Sequence, residues 1–220
     1  MTKPIICYVT DRKALVAANP AEAFRESISA AIGCGADWVQ IREKDLHARE
    51  LSVLARYAVK IANLARSARI FVNDRLDVAL ASAAAGVHLG FHSPPARDVV
   101  RWCRGGEAPE GFQIGVSCHS LNEARDAEAA GANYIFFGPV FETPSKKAYG
   151  LPQGLVSLES VCKAIRIPVI AIGGVDESSA PSCLGAGAAG IAAIRMFQQK
   201  ADPQLLRDAI ARLHESADTR

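Results

Sequence analysis

The chain has 220 residues, half of them apolar, and a formal net charge of only +2. Such a composition supplies a sizeable core, and the near balance of charge excludes the electrostatic footprint of a nucleic-acid binder or of a protein held on an anionic membrane. No apolar run reaches the ~18 residues of a membrane span, and no charged leader precedes an apolar stretch at the N-terminus, so a cytoplasmic protein is expected. The cysteines Cys7, Cys34, Cys103, Cys118, Cys162 and Cys183 form no CxxC pair. Several fall in apolar strand or helix patterns and read as free core thiols.

Ile5 to Thr10 reads as a first buried strand, followed by a helix from Pro20 to Cys34 with Asn19 as its cap. Trp38 to Arg42 is a second strand, and a second helix spans about Ala48 to Arg66. Arg69 to Asn73, Val87 to Gly90, Phe112 to Cys118 and Asn133 to Gly138 continue the strands. Between them lie helices over Leu76 to Ala85, from Pro94-Pro95 onward, and over Leu121 to Ala130. The last of these has Ser120 as cap and Glu123 three residues on. A loop rich in Pro, Thr, Ser, Lys and Gly runs from Pro139 to Gly154, a length that marks a functional loop or lid. A helix to Ile165, a strand from Pro168 to Ile172, a further helix, a strand from Gly190 to Ile194 and a helix from Pro203 to Leu213 complete the chain.

Strands apolar on both faces, alternating with helices, describe a parallel sheet covered by helices. Eight such units without a composition break fit a single-domain (β/α)8 TIM barrel over residues 1–220. An open doubly wound sheet is the alternative, weakened by the lack of a GxGxxG turn after the first strand.

In a barrel the strands' C-terminal ends build the site. They carry Gln40, Arg42 and Lys44 with Glu43 and Asp45, then Asn73 and Asp74, then His88, His92 and Ser93. Next come Ser117 and His119, then Thr143, Ser145, Lys146 and Lys147, then Gly173-Gly174, and finally Arg195. Cations, small hydroxyls and backbone-exposing glycines on one rim call for phosphate-type anions. The glycine pair has a purely steric reading as well. Glu43 and Asp45 read equally as local ion-pair partners, and His119 reads either as a structural histidine or as a proton-transfer group. Asp74 is a candidate Mg2+ ligand.

Seven segments in this order resemble the thiamine phosphate synthase and thiazole tautomerase family. They are Tyr8-Val9-Thr10-Asp11, Val39 to Lys44, Val72-Asn73-Asp74-Arg75, Gly86 to Gly90, Gly115 to Ser120, Gly138 to Thr143 with Lys146, and Ala171 to Val175. The resemblance implies a synthase that couples a hydroxymethylpyrimidine diphosphate to a thiazole phosphate and releases pyrophosphate. It places the pyrimidine diphosphate on Gln40, Arg42, Lys44, Asn73, Ser117 and Lys146, and the thiazole phosphate on Thr143, Gly174, Ile194 and Arg195. Catalytic work falls to Lys44, Ser117, His119 and Lys146.

Two departures stand out. The family holds Mg2+ with two aspartates, one matching Asp74 and one lying in a loop that here reads Leu89-Gly90-Phe91-His92-Ser93, so that Ser93 stands in the second place. Arg195 replaces a small serine. The alternative reading is a metal-independent thiazole tautomerase with His119 as acid/base, and a third is a barrel that has lost catalysis and binds thiamine intermediates. The implied partners are small-molecule phosphates, with no nucleic acid and no membrane; a homodimer through surface residues such as Phe91 and Trp102 is allowed.

Overall fold

The structure, a computed structural model, describes residues 3–15, 19–143, 151–199 and 202–215. Eight parallel strands close in sequence order: β1 (Ile5–Val9), β2 (Trp38–Ile41), β3 (Arg69–Asn73), β4 (Gly86–Leu89), β5 (Gln113–Cys118), β6 (Tyr134–Phe137), β7 (Val169–Ile172) and β8 (Gly190–Ala193), with β8 pairing back onto β1. Around them run α1 (Pro20–Gly33), α2 (Ala48–Ala65), α3 (Leu76–Ala81), α4 (Ala96–Trp102), α5 (Leu121–Ala130), α6 (Gly154–Ala164), α7 (Ala180–Gly185), α8 (Arg195–Gln198) and α9 (Pro203–Glu215). The closed (β/α)8 barrel is the expected architecture, and no open-sheet edge remains.

The local signals act as their chemistry dictates. Asn19 Oδ1 accepts from the Glu22 backbone N–H at 3.4 Å and opens α1. At α5, Ser120 Oγ accepts from the Glu123 N–H at 3.2 Å, while the Glu123 carboxylate accepts from the His119 N–H at 2.6 Å, a reciprocal cap. Along α2 the buried stripe is Leu51, Leu54, Ala55, Ala58 and Ala62, the spacing that lays one helical face on the sheet. Two expectations are corrected. The third helix stops at Ala81 because Ser82 turns its hydroxyl back to the Val78 carbonyl at 2.8 Å and Ala83 enters the left-handed region at φ +54°. The short α8 was not expected; four residues are too few for a periodic signal.

Alternation along each strand separates two apolar bodies. Val39, Ile41, Ile70, Val72, Val87 and Leu89 face the helices, whereas Cys7, Val9, Trp38, Phe71, Tyr134, Phe136, Ile170 and Ala192 fill the barrel. The interior rings touch one another, with centroids 4.7 Å apart for Trp38–Phe71 and Trp38–Tyr134 and 5.4 Å for Phe71–Tyr134. Their bulk is matched by a small neighbour. Gly115 sits opposite Tyr134 in the β5–β6 register, and a Cβ there would lie 2.1 Å from the tyrosine ring.

Gly115→Ala is therefore expected to lower stability by about 1–3 kcal/mol through overpacking. Gly105→Ala, with nothing within 4 Å of the added carbon, is expected to stay within about 0.5 kcal/mol of the parent. Urea midpoints of the two variants check this.

Candidate active site

Above the rings, at the C-terminal end of the barrel, stand Gln40 on β2, Asn73 on β3, His88 on β4 and Ser117 on β5. Asp74 follows β3 in the left-handed region at φ +60°, a conformation aspartate tolerates better than most residues. The turn folds its carboxylate back over the strand ends. Oδ1 accepts from the Gly90 N–H at 3.0 Å and from Ser93 Oγ at 2.5 Å, and Oδ2 accepts from Asn73 Nδ2 at 2.6 Å. Asn73 Oδ1 in turn accepts from Gln40 Nε2 at 2.8 Å.

The sense of this chain is fixed at one end. A carboxylate only accepts, so Asn73 must turn its amide nitrogen to Asp74 and its oxygen to Gln40. Gln40 is then left with Oε1 buried and, among the described residues, without a partner. A buried acceptor with no donor costs about 1–3 kcal/mol, a cost that an N–H on a bound molecule would remove.

The loop after β2 is latched from β1. Glu43 is buried, and its Oε1 accepts from Thr10 Oγ1 at 2.7 Å and from the Arg12 N–H at 3.2 Å. Thr10 Oγ1 also accepts from the Arg42 N–H at 2.9 Å, so one hydroxyl holds both neighbours. Burial raises the Glu43 carboxyl above its ordinary range, against the bonds from Thr10 and Arg12 that pull it down. Asp45 is bound by Arg12 and Lys13, each at 2.9 Å, and those bonds hold its carboxyl at about 2. The ion-pair reading of Glu43 and Asp45 thus holds, with Arg12 and Lys13 as the cations. Among the described residues, Arg42 and Lys44 form no ion pair.

His88 is level with Asn73 in the β3–β4 register but more enclosed than a rim position implies. It is fully buried inside the barrel, its Nε2 2.9 Å from Ser117 Oγ and its Nδ1 3.3 Å from Tyr134 OH. Burial pushes its pKa down to about 3; the Asp74 carboxylate pulls it up and Arg42 adds to the fall. His119 is exposed at the top of β5 and donates Nδ1–H to the Gly138 carbonyl, which leaves Nε2 as its free nitrogen.

On the far side of the mouth, Gly173 and Gly174 take φ of +93° and +69°. A Cβ at Gly173 would meet Pro139 at 2.5 Å, and one at Gly174 the Glu142 carbonyl at 2.7 Å. The steric reading of this pair is therefore satisfied: it lets the loop after β6 close onto β7, where Val140 N–H and Phe141 N–H donate to Ile172 and Gly173 at 2.9 Å each. Ile194 packs on the barrel interior, while Arg195 is exposed at the start of α8, directly after β8. His92 is also exposed, its ring edge-on to Phe91. Thr143 ends the described part of the loop, and Ser145, Lys146 and Lys147 lie outside the described residues.

A family profile described as thiamine monophosphate synthase matches residues 6–197. The chain belongs to that family. It is 46% identical over 177 residues to a putative thiamine-phosphate synthase of Geobacter sulfurreducens, covering 80% of each chain. It is 37% identical over 217 residues to the thiamine-phosphate synthase of Chlorobium phaeobacteroides, covering 96% of each. Among solved structures, thiamine phosphate pyrophosphorylase from Pyrococcus furiosus superposes with a TM-score of 0.82 at 31% identity, covering 96% of this chain and 95% of that one.

The family resemblance implies Mg2+. Of the roughly four lone-pair positions on a carboxylate, three on Asp74 already accept from Gly90, Ser93 and Asn73. Ser93 meets Asp74 at the place of the second aspartate, but as a hydrogen-bond donor. No group of three or more His, Cys, Asp or Glu able to hold a metal occurs among the described residues. The residues fit Mg2+ only as a one-carboxylate site completed by diphosphate oxygens and water, a mode this ion accepts.

Thr10→Val is expected to cost about 1–3 kcal/mol by leaving Glu43 and the Arg42 N–H unpartnered and to raise KM for an anionic substrate, while Thr10→Ser keeps both; urea unfolding and steady-state kinetics check the pair. His88 supplies a pH prediction. Its pKa in the folded chain, about 3, lies below the ordinary histidine value near 6.5. Between those values only the unfolded chain binds this proton, so stability is full above the upper value and falls as the pH drops, by up to about 1.4 kcal/mol per pH unit. His88→Gln is expected to flatten that slope, measured by urea midpoints from pH 4 to 7.5.

Proposed function

We infer that this barrel makes thiamine phosphate, joining a hydroxymethylpyrimidine diphosphate to a thiazole phosphate with release of pyrophosphate. Membership of the family and relatives named thiamine-phosphate synthase support the activity. The observation that carries the site assignment is the pairing of Arg42 and Lys44, free of local carboxylates, with the directed Gln40–Asn73–Asp74 chain beside them.

In the reaction the C–O bond between the pyrimidine methylene and the diphosphate breaks, and its electron pair leaves on pyrophosphate. The thiazole nitrogen then donates its lone pair to the methylene carbon, forming the C–N bond and becoming the positive centre of the product. Arg42 and Lys44, with Lys146 from the loop, neutralise the charge that grows on the departing group. Gln40 Oε1 receives an N–H of an aminopyrimidine, which fixes the ring in the mouth. Ser117 faces the same ring from β5. Thr143, Gly174, Ile194 and Arg195 take the thiazole phosphate on the opposite side. Mg2+, held by Asp74 together with the diphosphate, would add charge neutralisation on the leaving group.

The comparisons lend the tautomerase alternative no support, and His119 is left as a rim residue with one free nitrogen. No helix among the described residues is long and apolar enough to cross a membrane; a cytoplasmic location belongs to this proposal, as does a homodimer using the exposed Phe91 and Trp102.

The test is pyrophosphate release from the two substrates, with and without Mg2+, coupled to detection of thiamine phosphate. Lys44→Ala is expected to lower kcat by about a hundredfold with unchanged circular dichroism. Absence of thiamine phosphate from folded protein overturns the activity, and an unchanged Lys44→Ala rate overturns that residue's role.

A further inference from the structure

Tyr134 opens β6 inside the barrel, fully buried, with its hydroxyl 3.3 Å from His88 Nδ1. The rings of Trp38, Phe71 and Phe136 surround it, and among the described residues His88 is its hydrogen-bond partner. A phenol proton in that layer has one acceptor within reach. Were Tyr134 to accept from His88 instead, its own proton would be buried and unspent, at about 1–3 kcal/mol. Tyr134 therefore donates to Nδ1.

A neutral imidazole has one donor nitrogen and one acceptor nitrogen. With Nδ1 accepting, the proton sits on Nε2 and is donated to Ser117 Oγ at 2.9 Å. Burial holds both groups in the needed states, keeping the histidine neutral and raising the phenol well above its ordinary range. The Ser117 oxygen is then occupied as an acceptor, and its own proton points to the open mouth.

We propose that Tyr134 and His88 are positioning residues that turn Ser117 into a hydrogen-bond donor toward an acceptor atom of the bound substrate, a ring nitrogen or a phosphate oxygen. The proposal deepens the synthase reading and rests on it only for the identity of that substrate. It also assigns opposite senses to the two polar walls: Gln40 accepts by way of Asp74, and Ser117 donates by way of Tyr134.

The first readout needs no turnover. Nitrogen-15 NMR of the histidine-labelled protein is expected to show His88 as the Nε2–H tautomer, with Tyr134→Phe admitting the Nδ1–H form. A wild-type Nδ1–H tautomer overturns the proposal whether or not the protein makes thiamine phosphate. In the pyrophosphate-release assay, Tyr134→Phe is expected to lower kcat/KM about tenfold in the parent and by less than about twofold in a Ser117→Ala background. Equal losses in both backgrounds overturn the relay. Should Tyr134→Phe fail to fold, His88→Gln, whose amide accepts from Tyr134 and donates to Ser117, is expected to retain at least about tenfold more activity than His88→Leu; equal rates reject the role.

Discussion

A layer of aromatic rings inside the barrel is the constraint on which the site depends. Trp38, Phe71 and Tyr134 lie within ring-contact distance of one another below the polar layer. Over an apolar floor, a polar group left without a partner is costly, so each is expected to be satisfied by a neighbour or by a ligand. That is why the bonds among Gln40, Asn73, His88 and Ser117 carry direction. The two senses come from fixed ends. One is a carboxylate that only accepts, and the other is a phenol with one acceptor in reach.

Charge is organised by a different device. The loop after β2 holds acids and bases in alternation, and left to itself would neutralise its own cations. Thr10, Arg12 and Lys13, all on or just after β1, take up Glu43 and Asp45. Among the described residues, Arg42 and Lys44 are thereby left without an ion pair. The Thr10 hydroxyl is the pivot, since it donates to Glu43 and accepts from the Arg42 backbone at the same time.

The departure at Ser93 changes what Asp74 does. With a hydroxyl in place of a second carboxylate, Asp74 is drawn into three hydrogen bonds and anchors the amide chain that ends at Gln40. Asp74, a candidate metal ligand on sequence grounds, thus sets the polarity of the amide chain that ends at Gln40.

Much of this was legible in the sequence. Short apolar runs, apolar on both faces and alternating with helices, specify eight strand–helix units, and the caps at Asn19 and Ser120 are where their side chains predict. The motif order placed Gln40, Asn73, Asp74 and Ser117 on one rim. What the sequence could not supply was depth and pairing. A strand pattern gives the face of a side chain but not its enclosure in a closed barrel, so the sequence alone leaves His88 on the rim, whereas the structure buries it. Tyr134 went unnoticed because an aromatic residue opening a strand has an ordinary core reading. Glu43 had two open readings until β1 was seen to supply its partners. The sequence determined the strand–helix order, the caps and the residue types at the barrel mouth, because these follow from local periodicity and side-chain chemistry. Only the tertiary structure decided which of those groups donate, which accept and which acids the cations just after β1 take up, because those properties depend on neighbours that chain closure brings together from distant strands.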